Sequence, residues 1–159
     1  MTSAHRFSRR ARGAAGAAGF TVIEVIIVVG LLTILFAMGM GYWHDYTVLQ
    51  RIRYGTVQLA TDVRQAVELA KAERAQYTVT LTSGSQDYSI VRTGGGFTEN
   101  TKLPDGVTAT ATQVVYVSAF GKPVTALGVP TSYSISITNP KGTGTVELTP
   151  AGGVTYQEP

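Results

Sequence analysis

Between Val25 and Trp43 the chain runs for 19 residues without a charged side chain, and Glu24 is the only formal charge from Phe20 to Trp43. At about 1.5 Å of helical rise per residue, roughly 20 residues cross the ~30 Å hydrocarbon layer of a bilayer. The run therefore predicts one membrane-spanning helix, and everything else must be arranged around it. Arg6, Arg9, Arg10 and Arg12 all precede it. Clustered arginines hold their end of a span on the cytoplasmic side, so the remainder of the chain is expected outside. Tyr42, Trp43 and Tyr46 fall at the outer end, where amphipathic rings favour the membrane–water interface.

The sequence pI of about 9.3 suggests an acidic partner until the charges are placed. From Phe20 onward there are nine Lys and Arg against ten Asp and Glu, a net of −1. The basicity belongs to the N-terminal 19 residues, and the part expected outside lacks the positive field that attracts phosphates. Nucleic acid is thus not the expected partner. The chain has no cysteine, which excludes disulfides, thiolate metal sites and a cysteine nucleophile.

After the apolar run the helical pattern continues. Val48, Ile52, Leu59, Val63, Ala66, Val67 and Ala70 recur at spacings of three, four and seven, with Arg51, Arg53, Asp62, Arg64 and Glu68 between them. This is an amphipathic stripe, and one long helix is expected over about Phe20–Gln76. Strand candidates follow at Tyr77–Thr82, Tyr88–Val91, Val107–Thr112, Val114–Val117, Tyr133–Thr138 and Val146–Thr149. Turns are expected at Ser83–Gln86, Gly94–Gly96 and Asn139–Gly142. In Tyr133–Thr138, strict alternation puts Tyr133, Ile135 and Ile137 on one face. The fold class expected is α+β: a long N-terminal helix, its first half membrane-spanning, packed on an antiparallel sheet.

A secretory signal places its small-residue cleavage site after the apolar region. Here the small residues, Ala14 to Gly19, come before it. The segment Gly19-Phe20-Thr21-Val22-Ile23-Glu24, between a basic leader and a long apolar run, resembles the processing site of type IV prepilins and type II secretion pseudopilins. That resemblance implies cleavage by a prepilin peptidase between Gly19 and Phe20, with Phe20 becoming the N-methylated N-terminus. It implies that Glu24 acts in assembly with other pilin or pseudopilin subunits. The electrostatics agree. A carboxylate inside a span costs about 2.5–3.5 kcal/mol at the centre and less near an interface, so anchoring alone has no use for it. Cleavage turns the Phe20 amide into a cation. In a low-dielectric bundle, that cation and the carboxylate of a neighbour attract far more strongly than in water. An out-of-step subunit would bury an unpaired charge, so the pair can set axial register. Glu24 is also favoured at a helix N-terminus in its own right, and both roles can hold.

The organisation expected is a cleaved basic leader over 1–19, a transmembrane and filament-core half-helix over 20–43, an amphipathic half over 44–76 and a β-rich extracytoplasmic domain over 77–159. The stretch Val57–Leu81, with Leu103–Val107, Val117–Gly121 and Val146–Val154, is most similar to the GspH/FimT group of minor pseudopilins. Many relatives carry a proline about twenty residues into the mature helix. This chain has Gly39 and Gly41 there, and glycine costs about 1 kcal/mol of helix propensity against alanine, so the pair marks a candidate point of helix flexibility. DNA-binding members of the group share a basic C-terminal motif, whereas the tail Gly152–Pro159 has no Arg or Lys. Glu147 and Glu158 are too few for a calcium site.

No catalytic constellation is visible. His44 beside Asp45 reads as interfacial, without a nucleophile, and Gly94–Gly96 lacks the lysine and the context of a phosphate loop. No enzyme, cofactor or metal is expected. The resemblance implies a minor subunit of a type II secretion pseudopilus or a type IV pilus. It would be a single-pass protein of the bacterial inner membrane with its N-terminus cytoplasmic, in contact with membrane lipid before it enters a periplasmic or extracellular filament. A DNA-uptake minor pilin, a major type IV pilin and a non-assembling signal-anchored domain are the alternatives.

Overall fold

The computed structural model describes residues 19–159. The basic residues Arg6, Arg9, Arg10 and Arg12 of the expected leader lie outside them. The chain divides into two compact units, the first ending at Gly39 and the second running Met40–Pro159.

Helix α1 spans Val22–Glu73, 52 residues, close to the range that the continuous apolar and amphipathic patterns predict. Thr21 starts it: its carbonyl accepts from the Val25 amide at 3.2 Å, and its hydroxyl lies 3.3 Å from the Glu24 amide. A hydroxyl that satisfies an orphan amide in this way is an N-cap. The helix stops three residues before the expected Gln76. Arg74 takes a left-handed φ of 49°, and the Ala75 amide turns back to the Ala70 carbonyl at 3.3 Å, the hydrogen bond that closes a Schellman-type C-cap.

The strands are β1 Tyr77–Leu81, β2 Asp87–Arg92, β3 Thr98–Lys102, β4 Thr108–Ala109, β5 Gln113–Val117, β6 Pro123–Val124, β7 Tyr133–Asn139, β8 Gly142–Leu148 and β9 Val154–Gln157. They form two antiparallel sheets where the pattern suggests one. The first has the order β3-β2-β1-β5-β6 and the second β4-β7-β8-β9. Strands β3, β6 and β9 have no counterpart among the expected ones, and each closes an edge of its sheet. Edge strands such as Thr98-Glu99-Asn100-Thr101-Lys102 are polar because a paired, inward hydrophobic face is not demanded of them and charge protects the open edge. Proline at Pro123 fits the same position, having no amide to donate.

The expected strand over Val107–Thr112 shrinks to β4 because its backbone serves both sheets. Ala109 donates to the Ser85 carbonyl at 3.0 Å and accepts from the Gly84 amide at 2.9 Å, while the Thr110 amide reaches the Ser136 carbonyl in β7 at 2.9 Å. The segment is a seam between the β1–β2 turn and the second sheet.

One apolar cluster joins the helix to both sheets. Ile52, Leu59, Val63, Ala66, Val67 and Ala70 of the predicted stripe are buried, and Val48 is half-buried. They meet Val79, Leu81, Ile90 and Val115 from the first sheet and Ile135, Ile137, Val146 and Leu148 from the second. The alternation in Tyr133–Thr138 holds: Ile135 and Ile137 are buried while Ser134 is exposed. The three glycines Gly94, Gly95 and Gly96 form the β2–β3 turn, all with φ between 87° and 94°, a region open to glycine and costly for other residues.

Candidate functional site

The first half of α1 is apolar around its full circumference. Ile23, Val25, Ile26, Ile27, Leu31, Leu32, Ile34, Leu35, Phe36, Met38 and Met40 are all exposed. A helix without a polar face must be covered by lipid or by protein, and this one is long and apolar enough to cross a membrane.

Gly19, Phe20 and Thr21 precede the helix in irregular backbone, all exposed. A side chain added at Gly19 would touch nothing, so the Gly19–Phe20 peptide bond lies open. Phe20 is 81% exposed. Its ring and the side chains of Glu24, Val25, Val28 and Val29 border a shallow depression of about 250 Å³. Glu24 occupies the third position of the helix after the Thr21 cap. The Thr-Val-Ile-Glu spacing is that of a capping box, whose acidic member is favoured by the helix dipole. Phe20, with the amide nitrogen that cleavage would free, and Glu24 thus border one small surface at the head of the helix.

Gly39 is helical and open, and a β-carbon added to it would meet nothing within 4 Å; the backbone of Gly41 is helical too. The helix passes through both without a break.

His44 and Asp45, expected at the interface, are both exposed. Asp45 accepts from the Lys141 ammonium at 2.9 Å, a bond that holds its carboxyl below the usual range, with smaller attraction from Lys141 and His44 charge. Next to it, Asn139 donates to the Val48 carbonyl at 2.7 Å and accepts from the Lys141 and Gly142 amides at 2.9 and 3.1 Å. The β7–β8 hairpin therefore clamps α1 just after the apolar run. The sequence marks Asn139-Pro140-Lys141-Gly142 only as a turn; a side-chain bond 91 residues away leaves no local signal. Glu158 pairs with Arg53 at 3.7 Å, and among the described residues no group of three His, Cys, Asp or Glu side chains converges on one point.

No family model and no curated protein matches the sequence. Two crystal forms of the Pseudomonas aeruginosa type IV minor pilin FimU match the structure. One gives a TM-score of 0.54 at 16% identity, over 70% of this chain and 92% of the crystallised FimU chain. The other gives 0.50 at 16% identity, over 66% and 91%. The chain has the pilin fold. In this pilin fold the amphipathic half of the helix is covered by the two sheets, while the half that carries Glu24 is exposed.

Proposed function

We propose that the chain is a structural subunit of a pilin-type filament, made as a precursor and anchored in the bacterial inner membrane by the first half of α1. The observation that carries this reading is a pilin fold headed by a bare apolar half-helix, with an open Gly19–Phe20 bond just ahead of the only charge in that half. A prepilin peptidase cuts that bond, and the new Phe20 amine is N-methylated and remains cationic. It meets the Glu24 carboxylate of a neighbouring subunit as the helices leave lipid for the filament core. The same surface that needs lipid before assembly needs other subunits after it, so one apolar face serves both states. Gly39 and Gly41 are the points at which the helix bends or melts during that transfer. The role is mechanical, with no reaction catalysed. The stretches that resemble the GspH/FimT group favour a minor subunit of a type II secretion pseudopilus or a type IV pilus.

The N-terminus of the protein, isolated from cells with and without active prepilin peptidase, tests the reading by mass spectrometry. A methylated Phe20 terminus is expected only with the peptidase. An intact leader in both strains would overturn the proposal.

A further inference from the structure

Arg74, which ends α1, is the one described non-glycine residue with positive φ. Its place in the C-cap is one that glycine fills without strain, so folding alone favours glycine there. Arg74 borders a depression of about 520 Å³ shared with Lys71, Ala119 and Phe120. Phe120 is 80% exposed at the tip of the β5–β6 turn, which the Gly121 amide closes on the Ser118 carbonyl at 2.8 Å. The next turn, closed from Gly128 to Thr125 at 2.9 Å, exposes Leu127 almost fully. A second depression, of about 330 Å³, is bordered by Phe120, Ala126 and Gly128.

The Phe120 turn is held from two sides. Gly121 has a φ of 71°, and a β-carbon there would overlap the Lys71 side chain; one at Gly152 would overlap the Gly121 carbonyl oxygen. The Phe120 turn thus packs closely against the Lys71 side chain and the turn that holds Gly152. Neither turn requires a large apolar side chain at its tip, and both expose one to water.

The charge around these tips is positive. Glu68 is engaged by Lys71 at 2.9 Å, and Glu73 by Arg92 at 3.4 Å and by the Tyr77 hydroxyl at 2.8 Å. Arg74 and Lys122 form no ion pair among the described residues. The geometry points to a docking surface, made by Phe120, Leu127 and Arg74, for a segment of a different filament subunit that carries an apolar side chain with a carboxylate beside it. Charge complementarity selects the carboxylate, and the apolar tips select its neighbour. A second copy of this chain does not supply that pair. Glu24, between the exposed Ile23 and Val25, lies in the half-helix that the filament role buries among neighbouring helices; from Met40 onward Asp45 is the only acid with an exposed large hydrophobic, Tyr46, next to it in sequence, and Lys141 already holds Asp45. The inference rests on the filament role proposed above.

Photo-crosslinking of the full-length chain in intact cells tests it, with p-benzoylphenylalanine placed at Phe120 and, separately, at Ile27 in the bare helix. The Phe120 probe should join a different filament subunit at a peptide with Asp or Glu near the crosslinked residue. Arg74→Gly removes the strain, so the variant should melt no lower than the parent. A charge-assisted hydrogen bond lost with the arginine should reduce the Phe120 yield at least about tenfold, with the Ile27 yield unchanged. A Phe120 product with a second copy of the chain or with lipid, no product while Ile27 crosslinks, or a yield indifferent to Arg74→Gly would each overturn the docking surface alone. Absence of subunit crosslinks from Ile27 as well would overturn the filament role and, with it, this surface.

Discussion

Apart from the tyrosine hydroxyls, Thr56 carries the one buried polar side chain in the described core. Its hydroxyl donates to the Ile52 carbonyl one turn earlier at 2.8 Å, and it faces Gly144 of β8 so closely that a β-carbon there would overlap the hydroxyl. Helix and sheet meet at this point because one partner is glycine. Gly144→Ala should therefore lower stability by about 1–3 kcal/mol through overpacking, read as a lower midpoint in thermal melts. An unchanged midpoint would mean that the helix shifts freely against β8. A second residue-scale feature is Tyr88, buried, whose hydroxyl donates to Asp62 and accepts from Gln58 at 3.4 Å. Burial first, then the Asp62 carboxylate, pushes its phenol above the ordinary value; burial and the bond to Glu73 push Tyr77 in the same direction. A raised folded-state pKa means that the native protein keeps protons which the unfolded chain releases. Their stabilisation is full below about pH 10 and declines as pH rises beyond it. Melting temperature should fall from about pH 10 upward, and Tyr88→Phe should fall less steeply, from a start lowered at neutral pH by about 1–3 kcal/mol for the unsatisfied Asp62. Parallel slopes for the two proteins would reject the assignment.

At the scale of elements, α1 is two helices in physical terms. Its first half is exposed along its length, whereas its second half buries a stripe from Ile52 to Ala70 in the core. The β7–β8 hairpin marks the start of the supported part, through Asn139 on the Val48 carbonyl. The exposed Asp45–Lys141 pair adds little by itself, since such pairs compete with water and salt. Asn139→Ala removes both the helix contact and the hairpin's own turn bonds. It should cost about 1–2 kcal/mol and speed hydrogen exchange of the amides between residues 45 and 52. Exchange confined to the hairpin would show that the clamp does not hold the helix.

For the whole molecule, the filament role proposed above turns on Glu24. Glu24→Ala keeps every contact of the folded domain, because the side chain is exposed. The variant should be processed and inserted normally yet enter sheared filaments much less than the parent, measured by immunoblot of the sheared fraction. Equal incorporation would reject the register role. The long helix, its apolar first half and its buried stripe were legible in the chain itself, because each rests on local periodicity or on an unbroken apolar run. Tyr133–Thr138 was legible for the same reason, with one face buried and the other wet. The edge strands β3, β6 and β9 were not, since an edge carries no hydrophobic alternation. Nor was the division into two sheets, which depends on how the backbone of Ala109 and Thr110 is shared between them. What the sequence by itself determined is where this protein must be apolar and where it must not, hence an apolar half-helix followed by a half with one buried side. Only the tertiary structure decided which distant groups meet: Asn139 on Val48, Gly144 on Thr56, and Arg74 beside Phe120. Those contacts join residues far apart in the chain, and no local pattern of hydrophobicity or charge encodes them.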